Sequence, residues 1–135
     1  MPPAAPLVKT LQAVTPAVAT AGNDDSAVVG PAPFAGAVTA VEYYPKADIT
    51  GAATNHRRLR LVNKGQAGAG TTVVAELIFD NGVNAADFDA KALTLSAVAG
   101  ALDVVAGDLL VFETTHIGTG IADPGGSVVV TLARA

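Results

Sequence analysis

The chain of 135 residues lacks cysteine and tryptophan entirely, and aromatic residues make up only 4% of it. Without cysteine there is no disulfide framework and no thiolate chemistry. No apolar run approaches the ~20 residues that a membrane-spanning helix needs. The amino-terminal stretch MPPAAPLVK has no basic segment followed by an apolar one, so no secretory signal is predicted. We therefore expect a soluble protein that is made in a cytoplasm and does not enter a membrane.

Charge is also scarce, at 15% of residues, and the net charge is −4. A general nucleic-acid binder needs a basic footprint, so this balance argues against nucleic acid as a partner. The one basic cluster is HRRLR, which contains Arg57, Arg58 and Arg60. These arginines could form bidentate pairs with an acidic partner surface. They could equally form a solvated strand face that acidic residues balance across a sheet.

Arrangements of residues that support catalysis are missing as well. None of the serines lies in a G-x-S-x-G elbow, and His56 and His116 each stand alone at the end of a predicted strand. The glycine-rich stretch HIGTGIADPGGS (116–127) resembles a phosphate-binding loop, but such a loop has to open a helix. A strand, VVVTLA, follows it here, so we interpret it as a connection between antiparallel strands whose glycines supply positive φ. We expect no enzyme, no cofactor and no small-molecule substrate.

A short acidic stretch, NAADFDA, is the best candidate for a metal site. It places Asn84, Asp87 and Asp89 close together, and oxygen ligands suit Ca²⁺. The spacing is not that of an EF-hand loop. We favour Asn84 as the N-cap of a single helical turn, followed by a solvated loop, and predict no metal site.

Residues 1–35 differ in composition from the rest, because they contain all but two of the eight prolines. Proline fixes φ and removes a hydrogen-bond donor, so the segment is predicted to form neither a regular helix nor a central strand. It is also too apolar for an ordinary disordered tail. We predict an extended Pro/Ala-rich N-terminal arm that docks through Leu7, Val8, Leu11 and Val14. The alternative is a flexible leader.

From Gly36 onward, short apolar runs alternate with turns rich in Gly and Asp. The predicted strands lie at 36–44, 56–64, 71–82, 92–98, 102–116 (interrupted at 106–108) and 127–133. Alternation places Leu59 and Leu61 on one face of the second strand and Arg58 and Arg60 on the other. Strands at this spacing are typical of an all-β sandwich or barrel.

Several of these strands are apolar on both faces. The runs are VVAELIF at 73–79, LLVF at 109–112 and VVV at 128–130. A strand of a two-layer sandwich has only one interior face. The second face is therefore predicted to meet the arm, a neighbouring subunit or a larger assembly. Alternatively, Val and Ala are merely tolerated on outer faces because of their β-propensity.

Four phrases, LVNKGQ, FDAKALTLS, AGDLLV and GTGIADPGG, occur in this order within residues 36–135. In this pattern the chain resembles the small capsid decoration (head fibre) proteins of tailed bacteriophages, especially those that infect actinobacteria. The resemblance implies a β-sandwich on the outside of a capsid, often a trimer at quasi-threefold positions. Such a trimer clamps neighbouring major capsid subunits.

The sequence thus predicts an antiparallel β-sandwich, jelly-roll-like or Greek-key, at residues 36–135, with an extended arm at residues 1–35. The predicted function is to decorate and stabilise the exterior of a bacteriophage capsid as a homotrimer that bridges subunits of the major capsid protein. The predicted contacts with the capsid or with another protomer are Leu7, Val8, Leu11, Val14, Arg57, Arg58 and Arg60.

The alternative is a carbohydrate- or receptor-binding sandwich module of a phage fibre or tail. A sugar site needs exposed aromatic rings, and few are available. Phe79 and Phe112 are predicted to lie in the core, and only one of the adjacent Tyr43 and Tyr44 can point outward from a regular strand. Phe34 and Phe88 complete the aromatic residues.

Overall fold

The computed structural model describes residues 7–135, and in that range the chain is all-β with no helix that could span a membrane. In chain order the strands are β1 (Val8–Thr15), β2 (Asp25–Pro31), β3 (Gly36–Pro45), β4 (His56–Asn63), β5 (Thr72–Ile78), β6 (Lys91–Ala92), β7 (Thr94–Leu95), β8 (Asp103–Val104), β9 (Leu109–Ile117) and β10 (Gly126–Arg134). The first sheet has the order β1-β10-β3-β6, and β8 also pairs with β3. The second sheet has the order β2-β9-β4-β5-β7. The predicted all-β fold of antiparallel strands is confirmed.

The strand pairing is nested, so that early strands pair with late ones. β1 pairs with β10 and β2 pairs with β9, while β3 and β4 lie on the other sides of β10 and β9. As a result, β1 and β2 are the edge strands of the two sheets, and they contact each other on one flank of the molecule.

The core forms between the inward faces of the two sheets. Val128, Val130 and Leu132 of β10 are fully buried, as alternation in that strand requires. Tyr43 of β3 stacks on Phe112 of β9 with ring centroids 5.7 Å apart, which joins the two sheets. Burial of each large aliphatic side chain contributes about 1.5–3 kcal/mol.

The segment predicted as an arm differs from its prediction. β1 pairs with β10 along its whole length, and β2 pairs with β9, so both strands belong to the sheets. Proline is compatible with this placement because the strands are at sheet edges, with Pro16 just after β1 and Pro31 at the end of β2. A boundary at residue 35 therefore does not separate an arm from the sandwich. Residues 1–6 of the predicted arm lie outside the described residues.

Two local predictions also need correction, and β5 departs from regular alternation. A register shift opposite Leu61 and Val62 leaves both Val74 and Ala75 of β5 fully buried. The helical turn after Asn84 is absent, and the Asn84 amide oxygen instead accepts a hydrogen bond from the Gly51 N–H at 2.9 Å. The single strand predicted at 92–98 corresponds to β6 and β7, which belong to different sheets.

The glycine-rich stretch 116–127 connects β9 to β10, and these strands lie in different sheets. It is therefore a crossover between the sheets and not the tip of a hairpin. Gly118, Gly120 and Gly125 have φ values of 66°, 73° and 78°, as expected for glycines that supply positive φ. A Cβ at Gly120 would overlap the carbonyl oxygen of Ala21, so the glycine also lets two loops approach closely.

Candidate interaction surface

β1 is an edge strand of the first sheet, so one of its sides has no strand partner among residues 7–135. Its pairing with β10 runs from Val8–Ala133 to Thr15–Gly126 without a register shift. The Leu7 carbonyl accepts a hydrogen bond from the Arg134 N–H at 2.9 Å. By the alternation of antiparallel pairs, the odd-numbered residues of β1 therefore direct their backbone groups toward β10, and the even-numbered ones direct theirs outward. The outward-directed residues are Val8, Thr10, Gln12 and Val14.

The side chains that β1 and its partner β10 direct to the outer face of the first sheet carry no charge, whereas Lys9 of β1 lies on the other face and Glu42 lies on the neighbouring β3. The even-numbered residues of β1 share the outer face of the first sheet with their partners on β10. We call this the uncharged face, and it consists of Val8, Thr10, Gln12, Val14, Ser127, Val129, Thr131 and Ala133. Val8 and Val14 are 56% and 84% exposed. Exposed apolar side chains beside unpaired backbone groups favour association with another protein.

The other sheet edges of the described chain are interrupted. β2 has a bulge between Val28 and Gly30, and the Ser26 N–H is bound at 2.8 Å by the Asp25 carboxylate. The far edge of β3 is partly covered by β6 and β8, and that of β5 by β7. Bulges, charges and short strands are the features that protect sheet edges. β1 is therefore the longest regular open edge among the described strands.

The outer face of the second sheet is charged, but its charges pair within the chain. Arg60 forms a salt bridge with Glu76 on β5, and Lys64 lies 3.6 Å from Glu113 on β9. The Arg58 guanidinium donates a hydrogen bond to the Thr115 hydroxyl at 3.1 Å. These contacts correspond to the second interpretation of the basic cluster, a solvated strand face whose arginines are balanced by acidic residues across the sheet.

The predicted contact residues fall into separate places. Val8 and Val14 lie on the uncharged face, whereas Leu11 faces inward and packs against the core, and Leu7 is partly buried. Arg58 and Arg60 lie on the outer face of the second sheet. The structure therefore does not bring the β1 residues and the arginines together in one surface.

Arg57 is fully buried and cannot contact a partner in this fold. Its guanidinium donates hydrogen bonds to the carbonyls of Ile121 at 2.8 Å and of Asn23 and Ala21 at 2.9 Å each. These bonds hold the loop between β1 and β2 against the glycine-rich crossover. Burial lowers the pKa of Arg57, and the nearby Asp123 opposes that shift. The sequence contained this signal, because Arg57 shares its parity with the buried Leu59 and Leu61.

Asp123 is the second buried charged group, with 1% of its surface exposed. Its carboxylate accepts hydrogen bonds from the Tyr43 hydroxyl and the Thr114 hydroxyl at 2.6 Å each, and from the Gly125 N–H at 2.9 Å. Burial, and then the charge of Asp123, raise the pKa of Tyr43. Nothing in the stretch ADPGG distinguishes this aspartate from an ordinary turn residue. The Asp123 backbone also pairs with Val18, so Asp123 and Arg57 both hold the segment that links β1 to β2.

The two histidines and the acidic stretch complete the candidate residues. The Asp24 carboxylate accepts a hydrogen bond from the His116 backbone N–H at 2.8 Å and lies 2.6 Å from the His116 ring Nδ1. These hydrogen bonds lower the pKa of Asp24. The Asp48 carboxylate binds the Asp87 N–H at 2.8 Å. Within residues 7–135, no three His, Cys, Asp or Glu side chains are grouped so that they could hold a metal ion.

Comparison with known proteins finds no matching family model, no matching curated protein and no matching solved structure. The surface and the fold of the chain are therefore the basis of the proposed function.

Proposed function

We propose that the chain is a structural virion protein that decorates and stabilises the exterior of a bacteriophage capsid by bridging major capsid subunits. The observation that carries the proposal is the open edge of β1 beside the uncharged face. Such a surface gains free energy when another protein covers it, through apolar burial and through backbone hydrogen bonds. The resemblance of residues 36–135 to capsid decoration proteins supports the capsid as the partner.

The strand order supports this proposal at the level of fold. We assign the two nested sheets to the jelly-roll type, in which early strands pair with late ones. Jelly rolls occur in viral capsid domains and in lectins, so the fold by itself does not choose between those functions. A homotrimer on the lattice would bind through several weak contacts at once, and avidity would supply the affinity.

The direct test is co-sedimentation of the purified chain with shells of the major capsid protein that lack it. We expect saturable binding at a fixed ratio to the capsid protein, and a higher temperature of shell dissociation. A chain with Val8→Lys and Val14→Lys should lose binding, because the contact would have to desolvate the added charges. A matched control carries Val28→Lys and Val98→Lys, at valines that are 65% and 72% exposed elsewhere. No binding of the natural chain, or equal loss in both variants, would contradict the proposal.

A second candidate function rests on Phe88, whose side chain is 77% exposed. Its φ of 58° is left-handed, which is rare for a bulky residue and typical of functional sites. The Phe88 N–H donates to the Pro45 carbonyl at 2.7 Å, which fixes the loop. Beside the loop lies a cleft of about 520 Å³ whose polar lining residues are Asp48, Thr50, Asn84, Asp89 and Lys91.

An exposed aromatic ring beside hydrogen-bonding groups suits a sugar ring, so this loop favours a carbohydrate- or receptor-binding module as the alternative. A glycan array tests it. Binding that Phe88→Ala removes and Val98→Ala preserves would support this alternative. No binding to any glycan would leave capsid decoration as the better explanation of the surface.

A further inference from the structure

The sequence of β1, VKTLQAVT, is compatible with pairing to a second copy of itself. When two copies run antiparallel with Leu11 opposite Leu11, Val8 lies opposite Val14 and Thr10 opposite Gln12. Each exposed valine then meets a valine across the pair. Lys9 lies opposite Ala13, so the two lysines do not face each other, and like charges opposite one another would be destabilising.

The backbone parity agrees with the same register. The pairs Val8–Val14 and Thr10–Gln12 join even-numbered residues, whose N–H and C=O groups point away from β10. Such pairs exchange two hydrogen bonds each, which gives about eight bonds across the two-fold axis. A shift of one residue would place even-numbered residues opposite odd-numbered ones and lose these bonds. The strand also has no bulge and no proline that would prevent the pairing.

We propose that the open edge of β1 is a two-fold contact between two copies of this chain, centred on Leu11. A two-fold contact uses the same surface on both partners, so that surface has to be self-complementary, and β1 meets this requirement. The contact would join the two first sheets into one continuous sheet, with the uncharged faces side by side. It does not depend on a capsid and is distinct from a threefold contact. One strand edge pairs with only one further strand, so on a capsid this contact would connect chains of neighbouring trimers and leave the uncharged face for the capsid protein.

Single cysteines test the register, because the natural chain has none. Leu11→Cys places two thiols directly opposite each other across the axis, within disulfide reach. Ala13→Cys is the matched control: it lies on the same strand, also faces inward and is also partly buried. In the proposed register its two thiols are about 13 Å apart. Under mild oxidation we expect a covalent dimer from Leu11→Cys alone. Equal cross-linking of both variants, or of neither, would overturn the register.

Light scattering across a range of concentrations tests the contact itself. We expect a reversible dimer for the natural chain. Thr10→Pro removes an outward-directed N–H without touching the β10 ladder, and it should weaken dimerisation about tenfold or more. Thr10→Ala keeps the N–H and should dimerise like the natural chain. A natural chain that stays monomeric at all concentrations would overturn the proposal, as would association that Thr10→Pro leaves unchanged.

Two introduced charges test the same contact without a proline substitution. Val14→Lys should weaken dimerisation about tenfold, because the lysine faces Val8 of the other copy. Adding Val8→Glu should restore it, since the introduced glutamate and lysine then face each other. Circular dichroism and the melting temperature of each variant establish that it is folded. A double variant that associates no better than Val14→Lys would contradict the two-fold register.

Discussion

The outer face of the second sheet and the uncharged face on β1 and β10 are built in opposite ways. The outer face of the second sheet carries charged side chains that pair with each other, as in Arg60–Glu76 and Lys64–Glu113. The uncharged face of the first sheet has no such pairs and borders an unpaired strand edge. Charges that pair within one chain keep a face soluble without a partner. An uncharged face at an open edge leaves hydrogen bonds and apolar area unused.

The two amino-terminal edge strands repeat this contrast. β2 is interrupted by a bulge and ends in Pro31. Its Ser26 N–H donates a hydrogen bond to the Asp25 carboxylate. β1 is eight residues long and regular, with Lys9 as its only charge. Both strands come from the same proline-rich segment, so composition alone does not explain the difference. Whether a sheet edge is protected therefore depends on residues at individual positions and not on the composition of the segment.

The largest effect is expected from the buried network that anchors both edge strands. Arg57→Ala should lower the free energy of unfolding by about 3–5 kcal/mol, because three carbonyls lose their donor and Asp123 loses a nearby positive charge. Urea unfolding measures it. The matched control, Arg58→Ala on the outer face, should cost about 1 kcal/mol or less. Similar losses in both variants would contradict the assigned role of Arg57.

A smaller effect is expected from the Tyr43 hydroxyl, which donates a hydrogen bond to the Asp123 carboxylate. Tyr43→Phe should cost about 1–3 kcal/mol at neutral pH, since a buried hydrogen bond is lost. The raised pKa of Tyr43 means that its contribution is fully present below the ordinary tyrosine pKa of about 10 and is lost as the pH rises above it. The melting temperature of the natural chain should therefore fall more steeply above that pH than that of Tyr43→Phe. Parallel alkaline curves would show that Tyr43 is not the responsible group.

The surface contact between the β1–β2 loop and β9 predicts a weak dependence on acid. The pKa of Asp24 is lowered by its hydrogen bonds to His116, so its contribution is present above the ordinary aspartate pKa and is lost as the pH falls through the lowered value. Asp24→Asn should melt below the natural chain at pH 6, and the two melting temperatures should converge as the pH falls below the ordinary aspartate pKa of about 4. A difference that stays constant with pH would exclude this origin.

The smallest effect on stability should come from the paired charges of the second sheet. Replacing Arg60 and Glu76 together by glutamine should change the free energy of unfolding by about 1 kcal/mol or less, because the pair is only partly buried. If the face owes its solubility to its charges, the variant should precipitate at lower concentration than the natural chain. Unchanged solubility would mean that charge pairing does not explain the difference between the two faces.

Short apolar runs between turns located much of the fold, including β3, β4 and β10, and alternation assigned the two faces of β4 because one of them is buried. Arg57 has the same parity as Leu59 and Leu61, yet from sequence it is predicted to contact a partner, because an arginine is unexpected in a core. The bulge that buries both Val74 and Ala75 depends on pairing with β4, which no local pattern encodes. The placement of β1 and β2 was missed because prolines suggested an arm, whereas edge strands tolerate them. The acceptor role of Asp123 depends on a contact from Tyr43, 80 residues away in the chain, and on another from Thr114.

The central claim is that β1 is an open edge to which a partner strand can pair. Amide hydrogen exchange along this strand at increasing protein concentration tests it most directly. In the monomer, the N–H groups of Lys9, Leu11 and Ala13 should be protected by β10, and those of Thr10 and Gln12 should exchange quickly. As the concentration rises, Thr10 and Gln12 should become protected while the other residues change little. If Thr10 and Gln12 exchange quickly at every concentration, or are already protected in the monomer, β1 is not the associating edge.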